Sequence, residues 1–161
     1  MVKWVCSACS HEWEAPCYGR TGNGTGCKIC NFGNESKICL DLIRQLESFG
    51  VSSINSMKED IFLPGYNTII EYDGSYWHLP DNKVLYDVKK TLNMLDHGYR
   101  VIRVRESTPQ YTLPSLVNSI NSNNYFEIPY FIENGHGRYV DTWVTDLIIN
   151  KIKEEKWQKK Q

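Results

Sequence analysis

Four cysteines near the N-terminus constrain the fold of this chain more than any other sequence feature. They form two Cys-x-x-Cys pairs, Cys6 with Cys9 and Cys27 with Cys30, and 17 residues separate the pairs. Two such pairs can place four thiolates around one ion in the tetrahedral arrangement of structural zinc sites. Residues 1–34 are poor in aliphatic side chains, so Zn²⁺ binding would supply the folding energy that an apolar core cannot. The sequence therefore predicts a small zinc ribbon with four cysteine ligands.

The remaining residues, 35–161, show the periodicities of an α/β domain. Apolar residues recur at helical spacing from Ile38 to Phe49, and alternating or continuous apolar runs mark strands. The predicted elements are helices over 38–49, 83–97, 113–120 and 140–152, strands over 60–63, 67–73 and 100–105, and a strand or extended packing segment over 125–132. Gly50 and Gly98 are expected to end the first two helices. The strand over 100–105 alternates Arg with Val or Ile, which predicts one buried face. This order predicts a mixed sheet flanked by helices.

Composition limits the partners and the location of the protein. The 161 residues carry a formal net charge of −1, so any attraction to nucleic acid must come from local basic patches. No segment reaches the roughly 18 apolar residues of a membrane span, and the N-terminus does not resemble a signal peptide. We therefore expect a cytoplasmic protein without membrane contact, where a reducing environment favours zinc over disulfides for the six cysteines. The sequence leaves the oligomeric state open.

Basic residues cluster in and before the predicted strand 100–105, and Arg20 lies in a glycine-rich loop of the zinc ribbon. We expect them to contact DNA phosphates, and the candidates are Arg20, Lys89, Lys90, Arg100, Arg103 and Arg105. The glycine-rich segment around Arg20 lacks the Gly-Lys-Ser/Thr ending of a phosphate-binding loop, so Arg20 would act at its rim. The alternation in the strand leaves a second interpretation open, in which some of its arginines are surface residues or salt-bridge partners.

Several acids and one histidine surround the end of the second predicted strand. Glu71 and Asp73 lie on one face of this strand because side chains alternate, and Asp60 would stand nearby across the connecting turn. His78 follows in an aromatic hairpin, and Asp87 in the next helix could orient its imidazole. Mg²⁺ takes oxygen ligands, neutralises charge on a phosphodiester and works with a neighbouring base that activates water. The group predicts Mg²⁺-dependent phosphodiester hydrolysis, although each residue alone also has a structural explanation.

Residues 36–106 resemble the very-short-patch-repair (Vsr-like) endonucleases, a branch of the PD-(D/E)xK superfamily that also includes phage homing endonucleases. The resemblance rests on Asp60, on the Gly-x-aromatic-Trp-His segment at residues 74–78, and on the Gly-Tyr-Arg-Val segment at 98–101. The N-terminal cysteine pattern is similar to treble-clef zinc modules that precede nuclease domains in phage and mobile-element proteins.

The resemblance implies a restriction-endonuclease-like fold and an assignment of roles within it. Asp60 and the backbone carbonyl of Tyr72 would hold Mg²⁺. His78 would be the catalytic histidine, and Asp87 would orient it. The family also has a glutamate on the opening helix, at the position of Cys39 in this chain, and a thiol cannot replace a carboxylate on Mg²⁺.

The departure at Cys39 leaves three alternatives. Glu35 lies one turn earlier on the same predicted helical face and could substitute. Glu71 or Asp73 could instead take over the role, or the site could be weakened or inactive. We expect a phage- or mobile-element-encoded DNA endonuclease that nicks or cuts, with a non-catalytic DNA-binding protein on a retired nuclease scaffold as the alternative. A third interpretation, a zinc-dependent protein-interaction adaptor, would leave the acids unexplained.

Overall fold

The computed structural model describes residues 1–5, 10, 12–17, 37–55, 60–78, 80–133 and 139–154. The chain forms two compact units, Met1–Ser36 and Lys37–Gln161. The boundary expected from the sequence, between residues 34 and 35, lies outside the described residues, as do the four cysteines of the zinc prediction, Arg20 and Glu35. No helix in the described ranges is long and apolar enough to cross a membrane.

The described part of the N-terminal unit is a two-stranded antiparallel sheet. Strand β1 (Val2–Val5) pairs with β2 (Glu12–Ala15), and Trp4 lies opposite Trp13. The indole Nε1 of Trp4 donates a hydrogen bond to the Ala15 carbonyl at 3.1 Å, which ties this side chain to the partner strand. The first cysteine pair occurs in the sequence between the two strands.

The second unit is a five-stranded mixed sheet with helices on both faces. Its elements are α1 (Lys37–Ser48), β3 (Ile54–Asn55), β4 (Ile61–Leu63), a 3-10 turn (Pro64–Tyr66), β5 (Thr68–Asp73), α2 (Ser75–His78), α3 (Asp81–Asp96), β6 (Arg100–Ser107), β7 (Tyr125–Phe131) and α4 (Thr142–Lys153). The strand order is β3-β4-β5-β6-β7, with antiparallel pairing from β3 to β5 and parallel pairing from β5 to β7. The prediction of a mixed α/β fold is confirmed in this form.

Two apolar cores cover the two faces of the sheet. The first joins α1 and α4 to one face, through residues such as Leu42, Ile70 and Ile148. The second lies on the opposite face, where Met94 of α3 packs in one cluster with Ile69 of β5. Ile69 and Ile70 are adjacent in β5 and belong to different cores, as the alternation of side chains along a strand requires. Every residue of β5 is therefore buried, as is usual for a strand in the parallel part of a sheet.

Strand β6 has two buried faces rather than the single buried face that was predicted. All residues from Arg100 to Glu106 are buried. The strand lies between β5 and β7, and α3 covers the face that carries Arg103 and Arg105, where Arg103 Nε donates to Thr91 Oγ1. Val101, Arg103 and Arg105 lie on the face under α3, and Arg100, Ile102, Val104 and Glu106 lie on the opposite face. Each face therefore carries apolar and charged residues, and both are covered by protein.

The segment 74–78 forms the short helix α2 and not the predicted hairpin. His78 N bonds to the Gly74 carbonyl at 3.2 Å, which closes one helical turn. Helix α3 follows almost at once and begins at Asp81, two residues earlier than predicted. His78 is therefore delivered by a helical turn between β5 and α3.

The prediction of a helix over residues 113–120 is also wrong. The segment contains one turn, closed by Ile120 N to Leu116 O at 2.9 Å. Arg105 Nη2 donates to the Pro114 carbonyl, and Glu127 accepts from Leu116 N. Arg105 thus takes the Pro114 carbonyl, which a helix over 113–120 would pair with one of its own N–H groups. Glu127 fixes the N–H of Leu116, which would have no partner within such a helix.

Gly98 ends helix α3 in a left-handed conformation, as predicted for a glycine that follows a helix. Its φ is +86°, whereas Gly65 in the 3-10 turn has no positive φ and serves as the comparison. A Cβ added at either glycine would meet no atom within 4 Å, so the two positions differ only in backbone conformation. Gly98→Ala is expected to lower the free energy of unfolding by about 1–2 kcal/mol through backbone strain. Gly65→Ala is expected to leave it unchanged or raise it slightly. Chemical denaturation measures both, and equal effects would contradict the strain argument.

Candidate active site

Charged residues replace the apolar core at the carboxyl ends of β5 and β6, on the face covered by α3. Parallel pairing sets Glu71 beside Arg103 and Asp73 beside Arg105. All four share the face of Ile69, which belongs to the core under α3. The same face is therefore apolar near the start of β5 and charged near its end, where the chain turns into α2.

The centre of the charged group is Asp73, whose carboxylate accepts hydrogen bonds from two buried arginines. Arg103 Nη1 lies 2.5 Å from Asp73 Oδ1, and Arg105 Nη1 lies 2.8 Å from Asp73 Oδ2. Arg105 Nη1 also lies 3.3 Å from Asp87 Oδ2, and all four side chains are at most 2 % exposed. Burial alone would lower the pKa of Arg103, but the neighbouring carboxylates raise it above its ordinary value, so the guanidinium stays charged.

The burial of the arginines corrects their expected role as phosphate contacts. Arg103 and Arg105 are ion-pair partners inside the domain, which is the alternative that the strand pattern left open. Arg100 is also buried, at the opposite end of β6. Lys90 is half-buried in an ion pair. Of the five candidates that the structure describes, Lys89 is the exposed one.

His78 and Asp87 form a hydrogen-bonded pair at the edge of this cluster. His78 Nδ1 lies 2.8 Å from Asp87 Oδ2 and 3.5 Å from Asp73 Oδ1. Burial alone would raise the pKa of Asp87, but the His78 hydrogen bond and the two arginine charges hold it below its usual range. The imidazole is 19 % exposed and its carboxylate partners are almost completely buried. With Nδ1 bonded to Asp87, Nε2 is the nitrogen that can exchange a proton with a bound molecule.

Glu106 holds α2 in place, and the sequence reasoning missed it. Its buried carboxylate accepts from Ser75 N at 3.2 Å, from Ser75 Oγ at 2.9 Å and from the Tyr72 hydroxyl at 2.6 Å. These bonds tie the first residue of α2 to the end of β6. Glu106 shares a strand face with the core residues Ile102 and Val104. An acid in an otherwise apolar row was the signal that could have revealed it.

Asp60 and Glu71 form a second acidic group beside the arginine cluster. Strand β4 pairs with β5 so that Ile61 lies opposite Ile70, and Asp60, which directly precedes Ile61, lies near enough to Glu71 for its charge to act on that carboxyl. Asp60 Oδ2 accepts a hydrogen bond from Tyr72 N at 2.7 Å. The proximity that the sequence predicted across the turn is therefore present.

Lys90 pairs with one oxygen of Glu71 and leaves the other without a partner. Lys90 Nζ lies 2.6 Å from Glu71 Oε2, while Glu71 Oε1 is buried and has no hydrogen-bond partner among the described residues. Burial raises the pKa of Asp60 and of Glu71, and the Asp60 charge raises that of Glu71 further against the effect of the nearby cations. The surrounding cations therefore offset only part of the negative charge of this pair.

Two sets of side chains in the described ranges have ligand chemistry for a cation. Asp73, His78 and Asp87 bring ligand atoms within 4.8 Å of one another, but both Asp73 oxygens already accept from arginines. Asp60 and Glu71 offer carboxylate oxygens, the ligand type that Mg²⁺ prefers, and the unpartnered Glu71 oxygen fits such an ion. The four N-terminal cysteines, which the sequence predicts to be zinc ligands, lie outside the described residues.

Cys39, at the position of the family's helix glutamate, faces away from these acids. It is 6 % exposed and packs in the core of α1 and α4, to which Tyr72 also belongs. Because side chains alternate along β5, Tyr72 and Glu71 lie on opposite faces of the sheet. Asp41, the acid two residues after Cys39 on α1, does not approach these acids either, because its carboxylate accepts a hydrogen bond from Val140 N at 2.9 Å.

Loss of Arg103 is expected to destabilise the domain strongly. Arg103→Met removes one of the two arginine partners of Asp73, and breaking a buried ion pair in this way costs about 3–5 kcal/mol of unfolding free energy. Arg44→Met, at an exposed arginine of α1, is the matched control and is expected to cost less than about 0.5 kcal/mol. Urea denaturation measures both values, and a small loss in both variants would show that the cluster is not required for stability.

Asp87 is expected to make stability depend on pH in the acid range. A carboxylate with a lowered folded-state pKa stabilises the fold fully above its unfolded pKa of about 3.9, and this stabilisation is lost as pH falls through the folded pKa. Asp87→Asn is therefore expected to be less stable than wild type at neutral pH, with a difference that shrinks below about pH 3. Thermal unfolding across this range measures it, with Glu133→Gln, at an exposed acid, as control. A difference that does not change with pH would contradict the assignment.

Comparison with known proteins identifies one part of the chain. Residues 1–32 match a protein family described as a probable treble clef zinc finger domain. No curated protein and no solved structure matches the chain. The matched range includes both Cys-x-x-Cys pairs, so the match supports a structural zinc site and the treble-clef part of the predicted architecture.

Proposed function

We propose that this protein is a Mg²⁺-dependent DNA endonuclease whose second unit has a restriction-endonuclease-like, Vsr-like fold. The observation that carries the proposal is the 2.8 Å contact between His78 Nδ1 and Asp87 Oδ2, on the same face of the sheet as the acid pair Asp60 and Glu71. These residues come from four separate segments of the chain. An acid pair for a cation and an oriented histidine for proton transfer are the parts that phosphodiester hydrolysis needs.

His78 is the residue that would move a proton in this reaction. Asp87 accepts from Nδ1, which leaves Nε2 to take a proton from an attacking water or to give one to the leaving oxygen. Asp60 and, as the resemblance implies, the Tyr72 carbonyl would hold Mg²⁺, which neutralises charge on the phosphodiester when bound. The bond from Tyr72 N to Asp60 keeps that carboxylate in place.

DNA binding would depend on the zinc-finger unit and on surface charge in the second unit. Arg20 lies in the sequence range of the zinc-finger match, and Lys89 is exposed on α3. Both remain candidates for phosphate contacts, which would make binding weaker as salt rises. A phage or mobile-element origin, with action in the host cytoplasm, extends this proposal from the resemblance.

A non-catalytic DNA-binding protein on the same scaffold is the second candidate, and two observations favour it. Cys39 packs in an apolar core where the resemblance expects a glutamate. Asp73 is neutralised by two arginines, as in a purely structural ion cluster. The His78–Asp87 pair favours the enzyme, because a partly exposed histidine oriented by a buried carboxylate has no evident use in a scaffold that only binds.

Cleavage of supercoiled plasmid by the zinc-loaded protein in Mg²⁺ tests the proposal. His78→Ala is expected to reduce nicking about 10²–10⁴-fold, because it removes the group that transfers the proton. His97→Ala is the matched control, since His97 is exposed at the end of α3 and its Nδ1 contacts the Asn93 carbonyl of the same helix. It is expected to nick at the wild-type rate.

Other outcomes would identify the alternatives. Plasmid that stays intact in Mg²⁺ and Mn²⁺ but shifts in a gel would favour the DNA-binding protein. No shift even at low salt would favour the protein-interaction adaptor. Wild-type nicking by His78→Ala would assign the reaction to other residues.

A further inference from the structure

Building on the proposed function, we infer that Glu71 is the second acidic ligand of the magnesium site, beside Asp60, and that Asp73 is not a ligand. Cys39 leaves the site one acid short of the family that the chain resembles. Glu71 and Asp73 lie two residues apart on the same face of β5, but their contacts differ.

Glu71 offers a buried carboxylate oxygen that nothing in the described structure satisfies. The residue is 4 % exposed, Lys90 Nζ bonds to Oε2 at 2.6 Å, and Oε1 has no hydrogen-bond partner among the described residues. A buried acceptor without a partner costs about 1–3 kcal/mol, and more when it is charged. A divalent cation on Oε1 would remove this cost, so the oxygen has the properties of a metal ligand.

Asp60 lies beside Glu71 and is more open to solvent. Asp60 directly precedes Ile61 and Glu71 directly follows Ile70. Because Ile61 and Ile70 are paired, the two acids are neighbours, and the Asp60 charge acts on Glu71. Carboxylates of neighbouring residues can share one ion. The bond from Tyr72 N uses Asp60 Oδ2 and orients the carboxylate. Asp60 is only half-buried, so an ion bound here could keep several waters, as Mg²⁺ usually does.

Asp73 cannot take the same role without losing its ion pairs. Arg103 and Arg105 bond to its two oxygens at 2.5 and 2.8 Å. Both guanidinium groups also place positive charge beside Asp73, which repels a cation. A metal ion at this carboxylate would have to displace a buried arginine, and that arginine would then lack a partner for its charge.

The balance of charge leads to the same assignment. Asp60 and Glu71 carry two negative charges. Lys90 Nζ lies 2.6 Å from Glu71 Oε2, while Arg103 Nη2 approaches the same oxygen only to 3.9 Å because its closer contact is with Asp73. The arginine cluster, in contrast, balances its two aspartates with two guanidinium groups. A cation therefore neutralises more uncompensated charge at the first group than at the second.

Mn²⁺ binding by the zinc-loaded full chain, measured by electron paramagnetic resonance, tests the assignment without an activity readout. Glu71→Gln is expected to weaken Mn²⁺ binding by at least about tenfold, because a neutral amide replaces an anionic ligand. Asp73→Asn is expected to change it less than about threefold, since Asp73 is not a ligand. Glu127→Gln, on β7 beside Arg103 in the same row, is the matched control and should bind as wild type does.

Asp73→Asn also removes part of the arginine cluster, so circular dichroism first establishes which variants are folded. If Asp73→Asn is unfolded, the comparison of Glu71→Gln with Glu127→Gln still decides the assignment. Wild-type Mn²⁺ affinity in Glu71→Gln would overturn it. An equal loss of affinity in folded Asp73→Asn and in Glu71→Gln would also overturn it.

Nicking assays on the same proteins separate this inference from the proposed function. Weakened Mn²⁺ binding in Glu71→Gln, together with a wild type that does not cut DNA, would support the metal site and remove the endonuclease proposal. Cleavage by wild type with unchanged Mn²⁺ affinity in Glu71→Gln would keep the endonuclease and overturn the role of Glu71. A wild type that binds no Mn²⁺ would overturn that role as well.

Discussion

The carboxylate of Asp73, held between two buried guanidinium groups, is the interaction on which the rest of the second unit depends. Arg103 and Arg105 come from β6 and Asp73 from β5, so side chains as well as backbone join these parallel strands. Asp87 adds α3 to the cluster, and His78 adds α2. A buried charge is stable only when it is paired, because it has lost its hydration. The cluster therefore requires all four elements to be in place together.

The turn after β5 is held from both faces of the sheet. On one face Glu106 accepts from Ser75 and from the Tyr72 hydroxyl. On the other face Asp87 accepts from His78. Helix α2 has only four residues and is too short to be stable by its own hydrogen bonds. Its position, and with it the position of the imidazole, comes from these two carboxylates.

Sequence patterns were sufficient where a local cause decides the structure. Gly50 and Gly98 were predicted to end helices, and both have positive φ. The predicted proximity of Asp60 to the end of β5 also follows from a local cause, because a short turn and a period of two set the register. The pattern failed at residues 113–120, where Arg105 takes the Pro114 carbonyl that a helix would use and Glu127 fixes the N–H of Leu116. Those side chains belong to other elements, so no local periodicity reports them.

Sequence by itself indicated the main strands and helices of the second unit, the zinc-type cysteine set and which residues share a strand face, because these depend on short-range spacing and residue chemistry. Only the tertiary structure decided which charges are neutralised. Arginines at alternate positions of β6 have the same spacing whether solvent or acids face them, and the packing of α3 makes the difference. Ion pairing depends on distances between segments far apart in the chain. The balanced Asp73 and the partly unbalanced Glu71 therefore look alike in sequence and differ only in the folded protein.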